Sequence, residues 1–283
     1  MNKLSIVICS RTKDITSEFR NNIAETIGCE YQLIVIDNSM LNYNIFSAYN
    51  EGACRSDGDI ICFVHDDVKF HTQNWGELII AHFSDKTVGI VGIAGTHFLP
   101  VTPCAWWEPD IFSQNLIQTY DGSGKKVHEK CNRFFADDAV ALDGVFLCIP
   151  HRLFEVIKWD AETFQGFHGY DVDICLQILS AGYRVIVAQD ILLEHNSRGS
   201  YSEDFVKAQQ KVFDKWKHIL PIVRGVELSD EEIKIRTQMI SAVHTGYSNG
   251  YQYASRKYRY SNEFKLGNAL LHPWTIIRHR LGF

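Results

Sequence analysis

The chain has 283 residues, of which 46% are hydrophobic and 22% are charged, a balance typical of a globular enzyme domain with room for a smaller appendage. A chain of this length buries enough surface to fold without disulfides or a structural metal, and its eight cysteines form no C-x-x-C pair. The formal net charge of -6 argues against nucleic acid as the main partner.

The first part of the chain alternates short apolar runs with helix-like segments, which is the pattern of a parallel sheet flanked by helices. Four runs rich in β-branched residues predict buried strands: Leu4–Cys9, Gln32–Ile36, Ile60–Val64 and Val88–Ile93. Two intervening segments predict crossover helices: Asp14–Ile27 and Ile45–Arg55. Together they indicate an α/β fold with a mostly parallel central sheet.

The middle of the chain, residues 100–137, shows no strong periodicity. It contains the pair Trp106-Trp107 and the run Asp121-Gly122-Ser123-Gly124. Long segments without periodicity are usually functional or disordered loops, and we expect a functional or mobile loop here.

A second block of strands and helices is predicted after this loop. In order, we expect a strand Ala139–Ile149, a short helix Arg152–Ile157, a helix starting near Asp171, a strand Arg184–Ala188 and a helix Glu203–Ile219. The helix near Asp171 has apolar residues at helical spacing, and Gly182 stands where its C-terminal cap is expected.

Residues 221–283 are expected to form a helical extension whose last part is basic and aromatic. Against Glu263 alone, residues 251–283 carry six basic residues: Arg256, Lys257, Arg259, Lys265, Arg278 and Arg280. The extension either packs on the acidic domain or a second subunit, or lies on an anionic membrane surface. The sequence has no cationic leader and no apolar run near the ~20 residues that span a bilayer. We therefore expect a cytoplasmic protein, either free or peripheral at the inner face of the membrane.

Polar residues directly follow three of the predicted strands. They are Ser10-Arg11 after the first, Asp37-Asn38-Ser39 after the second and His65-Asp66-Asp67 after the third. Ligands bind at the carboxyl ends of strands in open parallel sheets, so these residues predict one site. The adjacent carboxylates of Asp66 and Asp67 repel one another unless a cation neutralises them, and a divalent cation shared with phosphate oxygens is the usual solution. The alternative is that both aspartates cap the following turn.

Three common nucleotide-binding loops are missing from the sequence. No G-x-G-x-x-G follows the first strand, since Gly89, Gly92 and Gly95 are spaced differently. Gly124-Lys125 lacks the earlier glycine of a P-loop, because Thr119 stands at that position. The segment after the first strand also lacks the glycine-rich loop of sugar-nucleotide pyrophosphorylases. Neither dinucleotide binding by a Rossmann loop nor ATP hydrolysis by a P-loop is supported.

The ordered motifs resemble glycosyltransferase family 2, whose members have the GT-A fold. The nucleotide-binding half of that family is similar to three segments here: Asp37-Asn38-Ser39, Ala48–Ala53 and Gly58–Asp67. The acceptor-side half is similar to four later ones, in the same order: Asp143-Gly144, Gly169–Gln177, Ala181-Gly182-Tyr183 and His195. The resemblance covers roughly residues 4–220. It implies a GT-A catalytic domain over 1–220 followed by the extension 221–283.

The resemblance also implies roles for individual residues. Asp67 matches the last residue of the family's D-x-D motif, which holds a divalent metal, and His195 matches a histidine that completes the metal site in some relatives. His65 replaces the first aspartate of that motif, so the resemblance does not imply that two carboxylates coordinate the ion. The implied cofactor is Mn²⁺ or Mg²⁺, and a histidine ligand favours Mn²⁺. Candidate nucleotide-binding residues are Ser10, Arg11, Asp37, Asn38, Asn50 and Asp66.

On the acceptor side, Asp171 matches the general base of the family's Glu-Asp pair, with Tyr170 standing where Glu is usual. Candidate acceptor-binding residues are Trp106, Trp107, Asp143, Gly144 and Tyr170. Each role has a plainer alternative. Asp171 and Asp173 both suit a helix N-terminus, and we assign Asp173 to that role alone. A histidine such as His195 is often a core residue, and a tryptophan pair is often simple packing.

The expected activity is inverting transfer of a sugar from a nucleoside diphosphate, uridine diphosphate by the resemblance, to an acceptor hydroxyl. Such a transfer needs a cation on the diphosphate and a base on the acceptor. The acceptor would be a glycan or a lipid-linked molecule in bacterial-type glycan or polysaccharide synthesis. One alternative is a non-catalytic relative that binds sugar nucleotides or glycans, in which His65 and Tyr170 would mark decay. A nucleotidyltransferase is a further alternative.

Overall fold

The computed structural model describes residues 3–120, 125–131, 137–196 and 202–259. It comprises two compact units, Met1–Ile240 and Ser241–Phe283. The predicted run Asp121-Gly122-Ser123-Gly124 and the basic residues Lys265, Arg278 and Arg280 lie outside the described residues. The strands in the described ranges are β1 Leu4–Ser10, β2 Tyr31–Asp37, β3 Ile60–Val64, β4 Val68–Phe70, β5 Val88–Gly92, β6 Ala94–Thr96, β7 Phe98–Leu99, β8 Phe112–Tyr120, β9 Lys125–Cys131, β10 Asp138–Ala139, β11 Ala141–Leu142, β12 Phe146–Pro150, β13 Arg184–Val187, β14 Leu193–His195 and β15 Ile222–Val223.

The helices lie close to where the sequence predicts them, except that Trp75–His82 forms a helix that was not predicted. They are α1 Ser17–Thr26, α2 Ile45–Arg55, α3 Trp75–His82, α4 Tyr170–Ser180, α5 Glu203–Trp216 and α6 Asp230–Arg259, with a 3-10 helix at His151–Glu155. Helix α1 begins later than predicted because the side chain of Thr16 caps it, accepting a hydrogen bond from the Phe19 N–H. Gly182 follows α4 with φ +85°, as its predicted capping role requires. Within the residues that the structure describes, every helix is either too short or too polar to span a bilayer.

The main sheet has the strand order β10-β13-β5-β12-β3-β1-β2. Strand β1 runs parallel to β2 and β3, and β13 runs parallel to β5. Strand β12 is antiparallel to both of its neighbours, and β10 is antiparallel to β13. Most strands of this sheet therefore point the same way, which confirms the predicted mostly parallel α/β sheet. The sheet is mixed, because β10 and β12 run in the opposite direction.

Two apolar clusters cover the two faces of this sheet, because successive strand residues point to opposite sides. In β1, Val7 belongs to the cluster that includes the α2 residues Phe46 and Tyr49. Its neighbours Ile6 and Ile8 belong to the cluster that includes residues of α1 and α3. This two-sided burial is why β1 and β3 are continuous apolar runs in the sequence.

A second sheet, β11-β6-β8-β14-β4 with β9 paired to β8, corrects two predictions. Residues 100–137 are not a simple loop, since they contain the antiparallel pair β8 and β9. The polar residues of these strands conceal them: Asn115, for example, is buried and donates to the carbonyl oxygens of Gln189 and Ile191 at 3.0 Å each. The predicted strand Ala139–Ile149 is also wrong as one element.

That segment divides because a turn at Asp143 separates strands of different sheets. The Asp143 carboxylate accepts a hydrogen bond from the Val145 N–H at 2.8 Å, which fixes the turn. Before the turn, β11 pairs with β6 in the second sheet. After it, β12 enters the main sheet between β3 and β5. The turn therefore lies where the two sheets meet.

Candidate active site

Polar residues predicted after β1 and after β3 come together where β3 passes into β4. His65, Asp66 and Asp67 form this connection. Strand β14 pairs antiparallel with β4 so that His195 stands opposite Val68. This pairing brings a histidine from far along the chain next to the aspartates, as the resemblance implied.

His65, Asp67 and His195 form a cluster of potential metal ligands. One ligand atom from each lies within 4.8 Å of the other two. His195 Nε2 is 3.4 Å from Asp67 Oδ1 and 3.4 Å from His65 Nδ1. A divalent cation such as Zn²⁺ lies about 2.0–2.2 Å from its nitrogen and oxygen ligands. Two neighbouring ligand atoms of one such ion are therefore about as far apart as His195 Nε2 is from Asp67 Oδ1 and from His65 Nδ1. The donor set of two imidazoles and one carboxylate thus fits a divalent cation.

Arg11 joins β1 to this cluster. Its guanidinium donates to both carboxylate oxygens of Asp66, with Nη2 2.7 Å from Oδ1, and its backbone N–H donates to Oδ2 at 2.9 Å. The same guanidinium is 3.4 Å from Asp67 Oδ2. Arg11 therefore offsets the mutual repulsion of the two aspartates, while its exposed side chain can also reach an anionic ligand.

Tyr170, the first residue of α4, contacts the cluster through His65. Its hydroxyl oxygen is 2.7 Å from His65 Nε2. Burial and the adjacent His195 lower the pKa of His65 to about 4, so His65 is neutral near pH 7. A neutral imidazole is the form that binds metals.

Asp171 follows Tyr170 and is the carboxylate that the sequence predicts as a base. Burial, followed by the negative charge of Asp143, raises its pKa to about 7. Hydrogen bonds from the backbone N–H groups of Val172 and Gly144 oppose this rise. A carboxyl group with this pKa exchanges protons near neutral pH, as general bases do.

These features resemble one known family. Residues 5–216 match the Glycosyltransferase like family, which is three quarters of the chain. The chain belongs to this family. Its sequence is 30% identical to the streptomycin biosynthesis protein StrF of Streptomyces griseus over 162 residues, which cover 55% of this chain and 54% of that protein. The chain thus spans about half the length of StrF. It is also 26% identical to the product of ATP synthase subunits region ORF 6 of Fuscovulum blasticum over 199 residues, 67% of this chain and 73% of that protein.

Two solved structures share the fold of this glycosyltransferase-like chain. TarS 1–349 of S. aureus superposes with a TM-score of 0.52 at 11% identity, covering 93% of this chain and 77% of that one. GalNAc-T7, solved with UDP, GalNAc and Mn²⁺, superposes with a TM-score of 0.51 at 13% identity, covering 87% of this chain and 58% of that one. At these identities the likeness concerns the fold, and it confirms the predicted GT-A architecture.

The predicted acceptor-side residues of this family member divide into supporting and exposed ones. Trp106 is buried, and its indole N–H donates to Asp143 Oδ2 at 3.1 Å. Trp107 is 36% exposed and stacks on Phe205 with ring centroids 5.7 Å apart. Phe167 is 50% exposed, and its ring lies 5.5 Å from that of His65. Phe167 therefore offers an exposed aromatic ring beside the cluster, and the sequence analysis missed it.

The structure does not bring every predicted nucleotide-binding side chain into the cluster. Asn50 is engaged with Trp159, donating to its carbonyl oxygen at 2.7 Å and accepting from its N–H at 3.2 Å. Asn38 makes the same kind of pair with the backbone of Tyr43. Their amides shape the surrounding loops. Both predicted roles remain predictions.

Ser10 and Asp37 lie at the sheet edge as expected, because they are paired in register at the ends of β1 and β2. The buried Ser10 hydroxyl lies 3.2 Å from the Thr12 hydroxyl. The exposed Asp37 carboxylate accepts from the Ser39 hydroxyl and N–H, and these bonds lower its pKa. Asp37 is thus an exposed anion at the edge where ligands bind.

Asp173 differs from its predicted role. It is 1% exposed, and its carboxylate accepts from the Trp216 indole N–H and pairs with the Lys215 ammonium, both at 2.7 Å. Asp173 therefore connects α4 to α5, in addition to lying in the first turn of α4. No pattern along the chain indicates this contact, because the two partner residues belong to a helix that is distant in sequence.

Proposed function

We propose that this chain is a metal-dependent glycosyltransferase that moves a sugar from a nucleoside diphosphate, UDP by preference, to an acceptor hydroxyl with inversion at the anomeric carbon. The observation that carries the proposal is the group of His65, Asp67 and His195, whose ligand atoms lie within 4.8 Å of one another at the ligand-binding edge of the sheet. The catalytic domain is residues 1–220, and 221–283 is an extension.

The donor side is formed by residues after β1, β2 and β3. His65, Asp67 and His195 would hold Mn²⁺ or Mg²⁺, which neutralises charge on a leaving diphosphate. Arg11, which pairs with Asp66, is placed to exchange part of that pairing for a phosphate oxygen. Asp37 would accept a hydrogen bond from the nucleoside. The presence of UDP and Mn²⁺ in the structure of GalNAc-T7 supports this choice of donor and metal.

The acceptor side is formed by the start of α4 and the turn at Asp143. Asp171, whose pKa is about 7, takes the proton of the acceptor hydroxyl as that oxygen attacks the anomeric carbon. Burial, and after it the charge of Asp143, keeps the Asp171 pKa high, and Trp106 donates a hydrogen bond that holds Asp143 in place. Trp107 and Phe167 offer aromatic faces on which an acceptor sugar stacks.

The acceptor class that we propose is a glycan or a lipid-linked molecule in polysaccharide or glycan synthesis, used in the cytoplasm or at the inner face of the membrane. The basic residues of 251–283 would draw such a protein to anionic lipid. The other role proposed for this segment is packing against the catalytic domain or a second subunit.

A thermal-shift titration tests the donor side. UDP with Mn²⁺ should raise the melting temperature, since a ligand at 100 times its Kd adds ~2.7 kcal/mol. Asp67→Ala should remove the part of the shift that needs Mn²⁺. Asp57→Ala is the matched control, because Asp57 is an aspartate before β3, at the opposite end of that strand, and it should keep the whole shift. An equal shift in the presence of EDTA would contradict the proposal.

Transfer separates the enzyme from a non-catalytic binding relative. Sugar release or transfer from UDP-sugars with Mn²⁺ is expected of the wild-type protein. A protein that binds UDP and Mn²⁺ and catalyses neither would be the binding relative. Pyrophosphate release from a nucleoside triphosphate would instead indicate a nucleotidyltransferase.

A further inference from the structure

The two residues that depart from the family's motifs contact one another. His65 stands at the first position of the D-x-D motif, and Tyr170 stands where the base is usually preceded by Glu. In the fold their side chains are 2.7 Å apart, from His65 Nε2 to the Tyr170 hydroxyl oxygen. Two unrelated losses would have no reason to form a short hydrogen bond between a strand end and a helix start that are 105 residues apart in the chain.

The Tyr170 side chain is held in one position. It is 4% exposed, and its ring packs against those of Phe46, Tyr49 and Phe167. On its hydroxyl side lies Gly144, where a Cβ atom would overlap the phenol oxygen. Because the ring is packed on one side and the hydroxyl meets backbone on the other, the phenol oxygen is a fixed point against which His65 is oriented.

We propose that Tyr170 is a positioning residue that keeps the Nδ1 lone pair of His65 available to the metal. The proposal rests on the proposed function, since it assumes that His65, Asp67 and His195 hold the cation. A neutral imidazole carries one proton, so a metal on Nδ1 requires that proton on Nε2. Metal-bound histidines usually donate the other ring N–H to a fixed acceptor, and the Tyr170 hydroxyl oxygen is placed as that acceptor.

Without the Tyr170 hydroxyl, the His65 tautomer that carries its proton on Nδ1 would become more populated. His65 Nδ1 lies 3.4 Å from His195 Nε2, so a proton on Nδ1 can be shared between the two rings. That arrangement leaves neither nitrogen of this pair free for a cation. The Tyr170 hydroxyl therefore decides between a site with two imidazole ligands and a hydrogen-bonded histidine pair.

The same residues set which cation is preferred. Imidazole nitrogen suits manganese and later transition metals, whereas Mg²⁺ prefers oxygen ligands. By replacing an aspartate with His65, the site gains a nitrogen donor and loses a carboxylate. We infer that the His65–Tyr170 pair makes the cluster bind Mn²⁺ in preference to Mg²⁺.

Direct metal binding tests this inference without reference to catalysis. Free Mn²⁺ is measured by electron paramagnetic resonance in the presence of saturating UDP, for the wild type and for Tyr170→Phe. The expected result is a roughly 10- to 100-fold weaker Kd for Mn²⁺ in Tyr170→Phe, the usual effect of removing the outer partner of a metal-binding histidine. The control is Tyr49→Phe, since the Tyr49 hydroxyl is buried in the same aromatic cluster without a hydrogen-bond partner. This control should bind Mn²⁺ as the wild type does.

A second variant tests the choice of cation. His65→Asp restores an oxygen ligand, and the ratio of the Kd for Mg²⁺ to that for Mn²⁺ should fall at least about tenfold. An unchanged ratio would mean that His65 is not a ligand. A wild-type Kd for Mn²⁺ in Tyr170→Phe would overturn the positioning role, as would an equal loss in Tyr49→Phe. If the wild type itself binds no Mn²⁺ with UDP, the proposed function fails and this inference fails with it.

Discussion

Replacing Asp171 by asparagine removes the proposed base with little change in shape. The Asp171 Oδ1 atom accepts a hydrogen bond from the Val172 N–H at 2.9 Å, and an asparagine carbonyl oxygen can accept the same bond. Asparagine cannot take a proton, however. We therefore expect Asp171→Asn to fold and to bind UDP with near-native affinity while its turnover falls by roughly 10²–10⁴, the usual contribution of a positioned general base.

The structure also predicts that Asp171→Asn, while less active, is more stable than the wild type near neutral pH. Burial and the charge of Asp143 raise the Asp171 pKa from 3.8 to about 7, which corresponds to at most about 4 kcal/mol against the ionised form. In the unfolded chain the carboxyl ionises near pH 4, whereas in the native protein it stays protonated up to about pH 7. The wild type thus loses stability as pH rises from about 4 to 7, and the loss is constant above that range. The asparagine side chain of the Asp171→Asn variant would carry no such penalty.

Two measurements check this reasoning. Unfolding is measured on the metal-free protein, and activity is measured on the enzyme with its metal. The free energy of unfolding, from urea titrations, should favour Asp171→Asn by an amount that grows from about pH 4 to about pH 7 and then stays constant. The wild-type kcat/KM should rise with pH through about 7, because only the carboxylate accepts a proton. Near-wild-type transfer by Asp171→Asn would refute the catalytic assignment. A stability difference that does not change with pH would refute the raised pKa.

Three further predictions concern the residues around this site and the extension. Gly144→Ala places a methyl group against the Tyr170 hydroxyl and should lower the free energy of unfolding by about 1–3 kcal/mol, measured in urea; no loss would mean that the turn moves aside freely. Asp173→Ala leaves the buried Trp216 indole N–H without its acceptor and removes one of the two carboxylates paired with Lys215, the other being Asp160. It should cost about 2–3 kcal/mol; a loss below about 1 kcal/mol would contradict the role of this contact. If residues 251–283 bind membrane electrostatically, the protein should sediment with anionic vesicles and dissociate as salt rises; no sedimentation at low salt would favour packing.

The turn at Asp143 shows why the site needs both sheets. Asp143 fixes its own turn through Val145, receives the Trp106 N–H and raises the pKa of Asp171. The same turn brings Gly144 against Tyr170. One short segment between β11 and β12 therefore supports the base, its electrostatic environment and the residue that orients His65.

The sequence by itself determined the elements of the main sheet. Strands such as β3 are buried on both faces and consist of consecutive apolar residues, and α2 and β3 have the bounds that their patterns predict. The motif order also determined the family, because Asp67, Asp171 and His195 stand at matching positions along the chain. These are local or one-dimensional signals, and they need no knowledge of which segments meet.

The tertiary structure alone decided how the second sheet forms and which side chains combine. Strand β8 carries polar residues whose hydrogen-bond partners, such as the carbonyl oxygen of Ile191, belong to distant segments, so its own sequence has no strand pattern. The contacts from His65 to Tyr170 and from Asp173 to Trp216 are likewise made between remote segments. Considered along the sequence alone, a histidine in place of an aspartate, as at His65, looks like the loss of a functional group. Its partner becomes evident only when folding places the two side chains within hydrogen-bonding distance, because that distance is a property of the fold and not of the spacing along the chain.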